Sequence, residues 1–128
     1  MSKYLAAIAL ILSCYKIAAA PPYTAEQLNR MVAAGDHPLE GYMLGWEKRR
    51  IPADIYGKYT EKPVLPFEAC KLAAERELSL FRKQFPVATI IDDKKLHVAK
   101  AWTTDGITKT TCYHSDFSLF VSRFEYRK

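Results

Sequence analysis

Two cysteines, Cys70 and Cys112, bracket the most strongly patterned part of this chain, and whether their sulfurs meet decides most of what it can fold into. Cys70 lies in a helical pattern. Pro66 suits a first helical position, where its missing N–H loses no bond, and Glu68 lies near the positive end of the dipole. Phe67, Cys70, Ala74, Leu78, Phe81 and Phe85 recur at steps of three and four, forming one apolar stripe, while Lys71, Glu75, Arg76, Arg82 and Lys83 fall elsewhere. Pro86 predicts a stop just after Phe85. The stripe aims the Cys70 sulfur at whatever the helix packs against.

Strand signals follow up to and beyond Cys112. Val87–Ile91 is β-branched and short, Leu96–Thr103 and Ile107–His114 alternate, and Phe117–Tyr126 closes the chain. Asp92-Asp93-Lys94, Thr104-Asp105-Gly106 and Ser115-Asp116 read as turns. Connections this short imply an antiparallel meander. A three-residue loop with Gly106 left-handed puts Cys112 on the face of Leu96, Val98 and Trp102, whereas a two-residue loop puts it with His97, Ala99 and Ala101. The first gives the sulfur the more apolar setting and is the register expected, with Leu119 and Val121 on the same side. The opposite face then carries Ile107, Tyr113, Phe120 and Phe124. That is more aromatic surface than a wet sheet face normally shows, so the N-terminal helix and the Trp46 segment are expected to cover it.

The compartment follows from the N-terminus. Lys3 precedes the apolar run Tyr4–Leu12, and small residues lead to Ala18-Ala19-Ala20, the order of a secretory signal. The run is too short to span a bilayer, which takes about 20 residues. Ile11-Leu12-Ser13-Cys14 loosely matches a lipobox, so membrane anchoring is expected only if Cys14 is lipidated. Without Lys3 and Lys16, 17 cations face 14 carboxylates, a net of +3. That is too little for nucleic-acid binding, which needs a basic stripe, and Lys48-Arg49-Arg50 is expected to be a solvated loop face. With Cys14 removed, an oxidising compartment favours a Cys70–Cys112 disulfide over two free thiols. Closing that loop is worth about 4 kcal/mol, against the roughly 5–15 kcal/mol that holds a typical domain.

Between signal and core, Thr24 and Gln27 form a capping box for a helix over 25–34, with Leu28, Met31 and Val32 at helical spacing and Gly35 ending it. The segment 37–66 is broken by prolines and glycines yet rich in Tyr42, Met43, Leu44, Trp46, Ile51, Ile55, Tyr56 and Tyr59. It reads as an aromatic loop, draped over the domain or used in recognition. No G-x-S-x-G elbow, P-loop or G-x-G-x-x-G occurs. His37, His97 and His114 lack partners at metal-ligand spacing, and Asp92-Asp93 suits a turn. No catalytic residue, metal or cofactor is expected.

Leu28-Asn29-Arg30-Met31-Val32, a cysteine opening a helix, Phe85–Ile90 (FPVATI), Ala101–Asp105 (AWTTD) and Thr111-Cys112 together resemble a group of small uncharacterised exported bacterial proteins with a Cys–helix–YPV–WTxD–Cys layout. Phe85 replaces the Tyr of that layout, and the aromatic loop is longer. The resemblance implies export and the cysteine pair, and carries no activity.

The expected fold is therefore α+β: a helix on a four-stranded antiparallel meander, disulfide-stapled, with a short N-terminal helix. Residues 1–20 form the signal peptide, 21–66 the N-terminal helix and aromatic loop, and 67–128 the core, the last two making one domain. The expected function is that of a periplasmic, non-enzymatic binding or inhibitory module for an envelope protein. Tyr42, Trp46, Tyr56, Phe120 and Phe124 are the anchors, because aromatics bury large area at small entropic cost. A structural accessory of an envelope assembly, or a small hydrolase using His97 or His114, is the alternative.

Overall fold

A computed structural model of the chain describes residues 22–57 and 65–128. The expected signal segment 1–20, with Cys14, lies outside those residues, as does Tyr59. The elements are α1 (Ala25–Ala33), β1 (Glu40–Arg50), α2 (Ala53–Gly57), α3 (Pro66–Ser79), β2 (Val87–Asp92), β3 (Leu96–Thr103), β4 (Gly106–Tyr113) and β5 (Ser118–Tyr126).

The local signals at the start of α1 act as expected. The Gln27 N–H donates to Thr24 Oγ1 at 3.2 Å, and the Thr24 N–H donates to Gln27 Oε1 at 2.8 Å, so two N–H groups that the first turn leaves unpaired are satisfied. Gly35, at φ +79°, turns the chain out of the helix.

The sheet is antiparallel throughout, in the order β1-β5-β4-β3-β2. Strands β2 to β5 form the expected meander, but the sheet has five strands, not four. The segment expected as an aromatic loop supplies β1, which joins the free edge of β5 from Glu40 to Arg50. Two register shifts between Glu40 and Gly45 erase the alternation that would have marked a strand. Gly41 is needed there, because a Cβ would sit 2.8 Å from the Tyr126 carbonyl oxygen.

On one side of the sheet lies α3. Cys70 is bonded to Cys112 of β4, with 5.9 Å between their Cα atoms. Ala69, Ala73 and Ala74 pack with Leu119 and Val121, and Ile51 and Ile55 fill the adjoining corner. Leu78 sits on Ala99 and Ala101. Small side chains on both partners let helix and sheet approach closely.

This packing corrects the expected register. Thr103 pairs with Gly106, so Thr104-Asp105 is a two-residue loop and Cys112 lies opposite His97. Cys112 therefore shares its face with His97, Ala99 and Ala101, while Leu96, Val98 and Trp102 point to the other side. Leu119 and Val121 stay where expected. A large Trp102 under α3 would hold the helix away from the sheet; on the opposite face it has depth. Gly106, at φ +146°, lies against the Phe124 carbonyl oxygen, where a Cβ has no room.

The helix also ends earlier than the stripe predicted. It stops at Ser79, and turns continue through Phe85, whose N–H donates to the Phe81 carbonyl at 2.8 Å. Phe81 stays with Leu78, but Phe85 joins the cluster on the opposite face. A continuous helix would have held both on one side.

On that second face, Leu28 and Val32 of α1 pack on Trp102, Ile107, Phe124 and Tyr126. Trp102 Nε1–H donates to the Pro38 carbonyl at 3.2 Å, and the Tyr126 hydroxyl donates to the Thr103 carbonyl at 2.6 Å. Burial pushes the Tyr126 phenol above its ordinary pKa.

Candidate functional site

Alternation along β1, β3, β4 and β5 gives the second face two halves. Cross-strand pairing places Trp102, Ile107 and Phe124 in one row beneath α1. The next row runs Trp46, Ser122, Lys109, Lys100; the one after runs Lys48, Phe120, Thr111, Val98, Ile91 across all five strands. Among the described residues no helix packs over these outer rows. Trp46 and Tyr113 remain 63% and 44% exposed.

Phe120 is the hub. Its ring lies 6.1 Å from Trp46 and 5.4 Å, edge-on, from Tyr113, and Lys48 Nζ stands 5.7 Å from its centroid. Such ring pairs and cation–π contacts fix the rings in place without hiding their outer surfaces. Beside them, Ile90, Ile91, Leu96, Val98 and Thr111 shape a shallow trough of about 290 Å³. Lys100 Nζ lies 2.6 Å from a Glu40 carboxylate oxygen, with Lys109 at 4.0 Å from the same oxygen, and Lys48 pairs with Asp116 at 3.3 Å. Lys48 and Arg49 are thus strand residues in ion pairs, Arg49 with Glu47 and Glu77, and not a solvated loop.

The five expected anchors do not form one site. Trp46 and Phe120 come together. Phe124 is buried beneath α1 and is withdrawn from the surface. Tyr56 belongs to α2, on the α3 side of the sheet. Tyr42, 82% exposed, lines a separate shallow cleft with Met43 and Glu125. Tyr113 was not among the expected anchors, though alternation had already set it on the face of Phe120. Coverage of this face by the Trp46 segment does not occur, because that segment is an edge strand in the plane of the sheet.

The histidines carry no assembled chemistry. The corrected register puts His97 opposite Cys112 under α3. Its Nδ1 is buried without a hydrogen-bond partner among the described residues, and burial holds its pKa below the ordinary value. His114 follows β4, its ring 5.7 Å from Phe67, in a cleft of about 670 Å³ that also holds Asp92 and Asp93. Both carboxylates are engaged: Asp93 Oδ1 accepts the Lys95 and Leu96 N–H groups at 2.8 Å, and Asp92 pairs with Lys71 at 3.4 Å. Those two amide bonds lower the Asp93 pKa, which suits a turn former and not a proton donor. Among the described residues no group of three His, Cys, Asp or Glu side chains is placed to hold a metal ion. Nor is any helix there long and apolar enough to cross a membrane.

Comparison with known proteins found no match for this chain among family models, curated proteins or solved structures.

Proposed function

We propose that this chain is an exported, non-enzymatic binding module of the periplasm, and that it engages an envelope protein through Trp46, Phe120 and Tyr113. The observation that carries the reading is the half-open second face, where a rigid sheet holds a half-buried Phe120 in contact with Trp46 and with Tyr113, both of which remain exposed. Aromatic anchors on a rigid support supply most of the energy in protein interfaces. The buried disulfide is the kind of bond that persists in oxidising compartments, which fits the charged, apolar, small-residue order of residues 1–20.

The test is capture from an envelope extract of the organism that makes the protein. Wild-type protein is expected to retain a specific partner that a folded Trp46→Ala/Phe120→Ala variant loses. Equal retention by both would sink the reading.

A further inference from the structure

On the face that α3 covers, the floor runs on past the end of the helix. The helix stops at Ser79, and Leu78 and Phe81 pack on Ala99, Ala101 and Val87. Register carries the Ala101 row onward across β4, β5 and β1, through Thr108 and Arg123 to Gly45. Over that end of the row lies a cleft of about 360 Å³, whose apolar lining is Leu44, Phe81 and Val121. A glycine makes the room. A Cβ added at Gly45 would meet nothing within 4 Å, and its φ is not positive, so neither a clash nor the backbone demands a glycine there.

Two polar side chains of the cleft are unspent. Thr108 is 3% exposed, and its Oγ1 has no hydrogen-bond partner among the described residues. A buried hydroxyl without a partner is costly unless something from outside the chain supplies one. Arg123 stands directly across the β4–β5 pair from it, is exposed, and makes no ion pair among the described residues. Two carboxylates also line the cleft, Glu47 and Glu77, but Arg49 holds both, the second at 2.6 Å. That leaves one guanidinium, a planar fork of donors that matches a carboxylate, and one hydroxyl beside it. One cation without a partner suits a single negative charge.

We propose that the cleft binds a small amphipathic monocarboxylate. Its carboxylate bridges the Arg123 guanidinium and the Thr108 hydroxyl, which donates to it, and its apolar body lies on Phe81, Val121 and Leu44. The hydroxyl is closed to solvent until then. Arg123 is its cross-strand neighbour, at a Cβ separation of about 5 Å, and can turn toward the ligand and uncover it without breaking an ion pair. The volume is near the lower end for ligand pockets, about 300 Å³, which leaves room for one ring and its acid and not for a polymer. The cleft is on the opposite face from the Trp46 and Phe120 rings, so it stands or falls independently of the partner proposed for them.

The probe is phenylpropionate, compared with its uncharged twin phenylpropanamide. Each is titrated into the isotope-labelled protein and followed by amide NMR. The acid is expected to shift the amides of Gly45, Thr108 and Arg123 and to bind at least about tenfold more tightly than the amide. Thr108→Val keeps the side-chain shape, and Arg123→Gln removes the charge. Each should weaken the acid by about fivefold or more while leaving the amide unaffected or nearly so. Thr108→Val should also leave the melting temperature no lower, because the hydroxyl it removes has no partner in the folded chain. Gly45→Leu fills the cleft and should abolish binding of both compounds; if that variant does not fold, the other two decide. Absence of binding, equal binding of acid and amide, shifts centred elsewhere, or undiminished binding by Thr108→Val or Arg123→Gln overturns the proposal. Tighter binding of the peptide acetyl-Ala-Ala-Phe at the same amides assigns the cleft to a chain terminus and also overturns it.

Discussion

The two faces of one sheet are finished differently. Beneath α3 the floor is aliphatic and free of large rings, Ala99, Ala101 and Thr110 beside Leu119 and Val121, and the helix is tied covalently through Cys70 and Cys112. On the other face the side chains are large, Trp102, Phe124, Phe120 and Trp46, and α1 covers only the first two, held by packing and by local caps. A helix on a floor without large rings gains close contact and buries the side chains beneath it. A half-covered aromatic floor is stable only where its own helix lies, and its remainder is available. The first face is scaffold and the second is surface.

That contrast can be broken or sharpened by experiment. The largest effect is expected on the scaffold side. Replacing both cysteines by alanine, or reducing the bond, should lower stability by about 4 kcal/mol from released loop entropy, read as the denaturant midpoint with and without reductant. A change under about 1 kcal/mol would mean that α3 is held mainly by its alanine contacts. On the other face, Leu28→Ala should cost about 3 kcal/mol, measured by urea unfolding, because Leu28 is fully buried between α1 and the sheet. If the loss is much smaller, α1 is only loosely packed on Trp102, Ile107 and Phe124. Thr24→Ala removes the capping box alone and should cost about 1 kcal/mol, read as a lower melting temperature with partner binding unchanged.

Smaller still is a pH effect from under α3. Burial holds His97 below its ordinary pKa of 6.5, so as pH falls the unfolded chain takes up the proton first. The stability is complete above about 6.5 and is lost as pH drops toward the lower folded value. The wild-type midpoint should therefore fall between pH 7.5 and 5.5, and His97→Gln should flatten that slope; identical slopes would show that His97 titrates as in the unfolded chain. The smallest stability change belongs to the surface. Trp46→Ala should stay within about 0.5 kcal/mol of wild type while removing partner capture, and a large loss of stability would make Trp46 a structural residue instead.

Much of this architecture could be read along the chain. The Thr24 capping box, the Pro66 start of α3, the bounds of β3 and the Cys70–Cys112 bond all rest on signals a few residues long or on cysteine number. The features that are not legible share a cause: they depend on pairing between strands. β1 is not legible as a strand because its two register shifts and its glycines erase period-two alternation, and only its aromatics stand out. The face of Cys112 is not legible because it depends on whether the β3–β4 loop holds two residues or three, and apolar character along β3 favours three where the structure has two. The candidate site is legible only in the same part: composition and alternation point to Trp46 and Phe120, but only the pairing of β1 with β5 brings their rings to 6.1 Å, and only α1 removes Phe124 from the surface.

The sequence by itself determined where the strands lie from Leu96 onward, that two sulfurs join a helix to a strand, and that aromatic residues crowd one side of β4 and β5. Side-chain alternation is a property of each strand and is written in its own residues. Tertiary structure alone decided which faces of neighbouring strands coincide, that a fifth strand closes the edge of β5, and how far α1 reaches over the aromatic floor. Those outcomes turn on loop length and on the space between packed layers, where a shift of one residue moves every side chain of a strand to the other side.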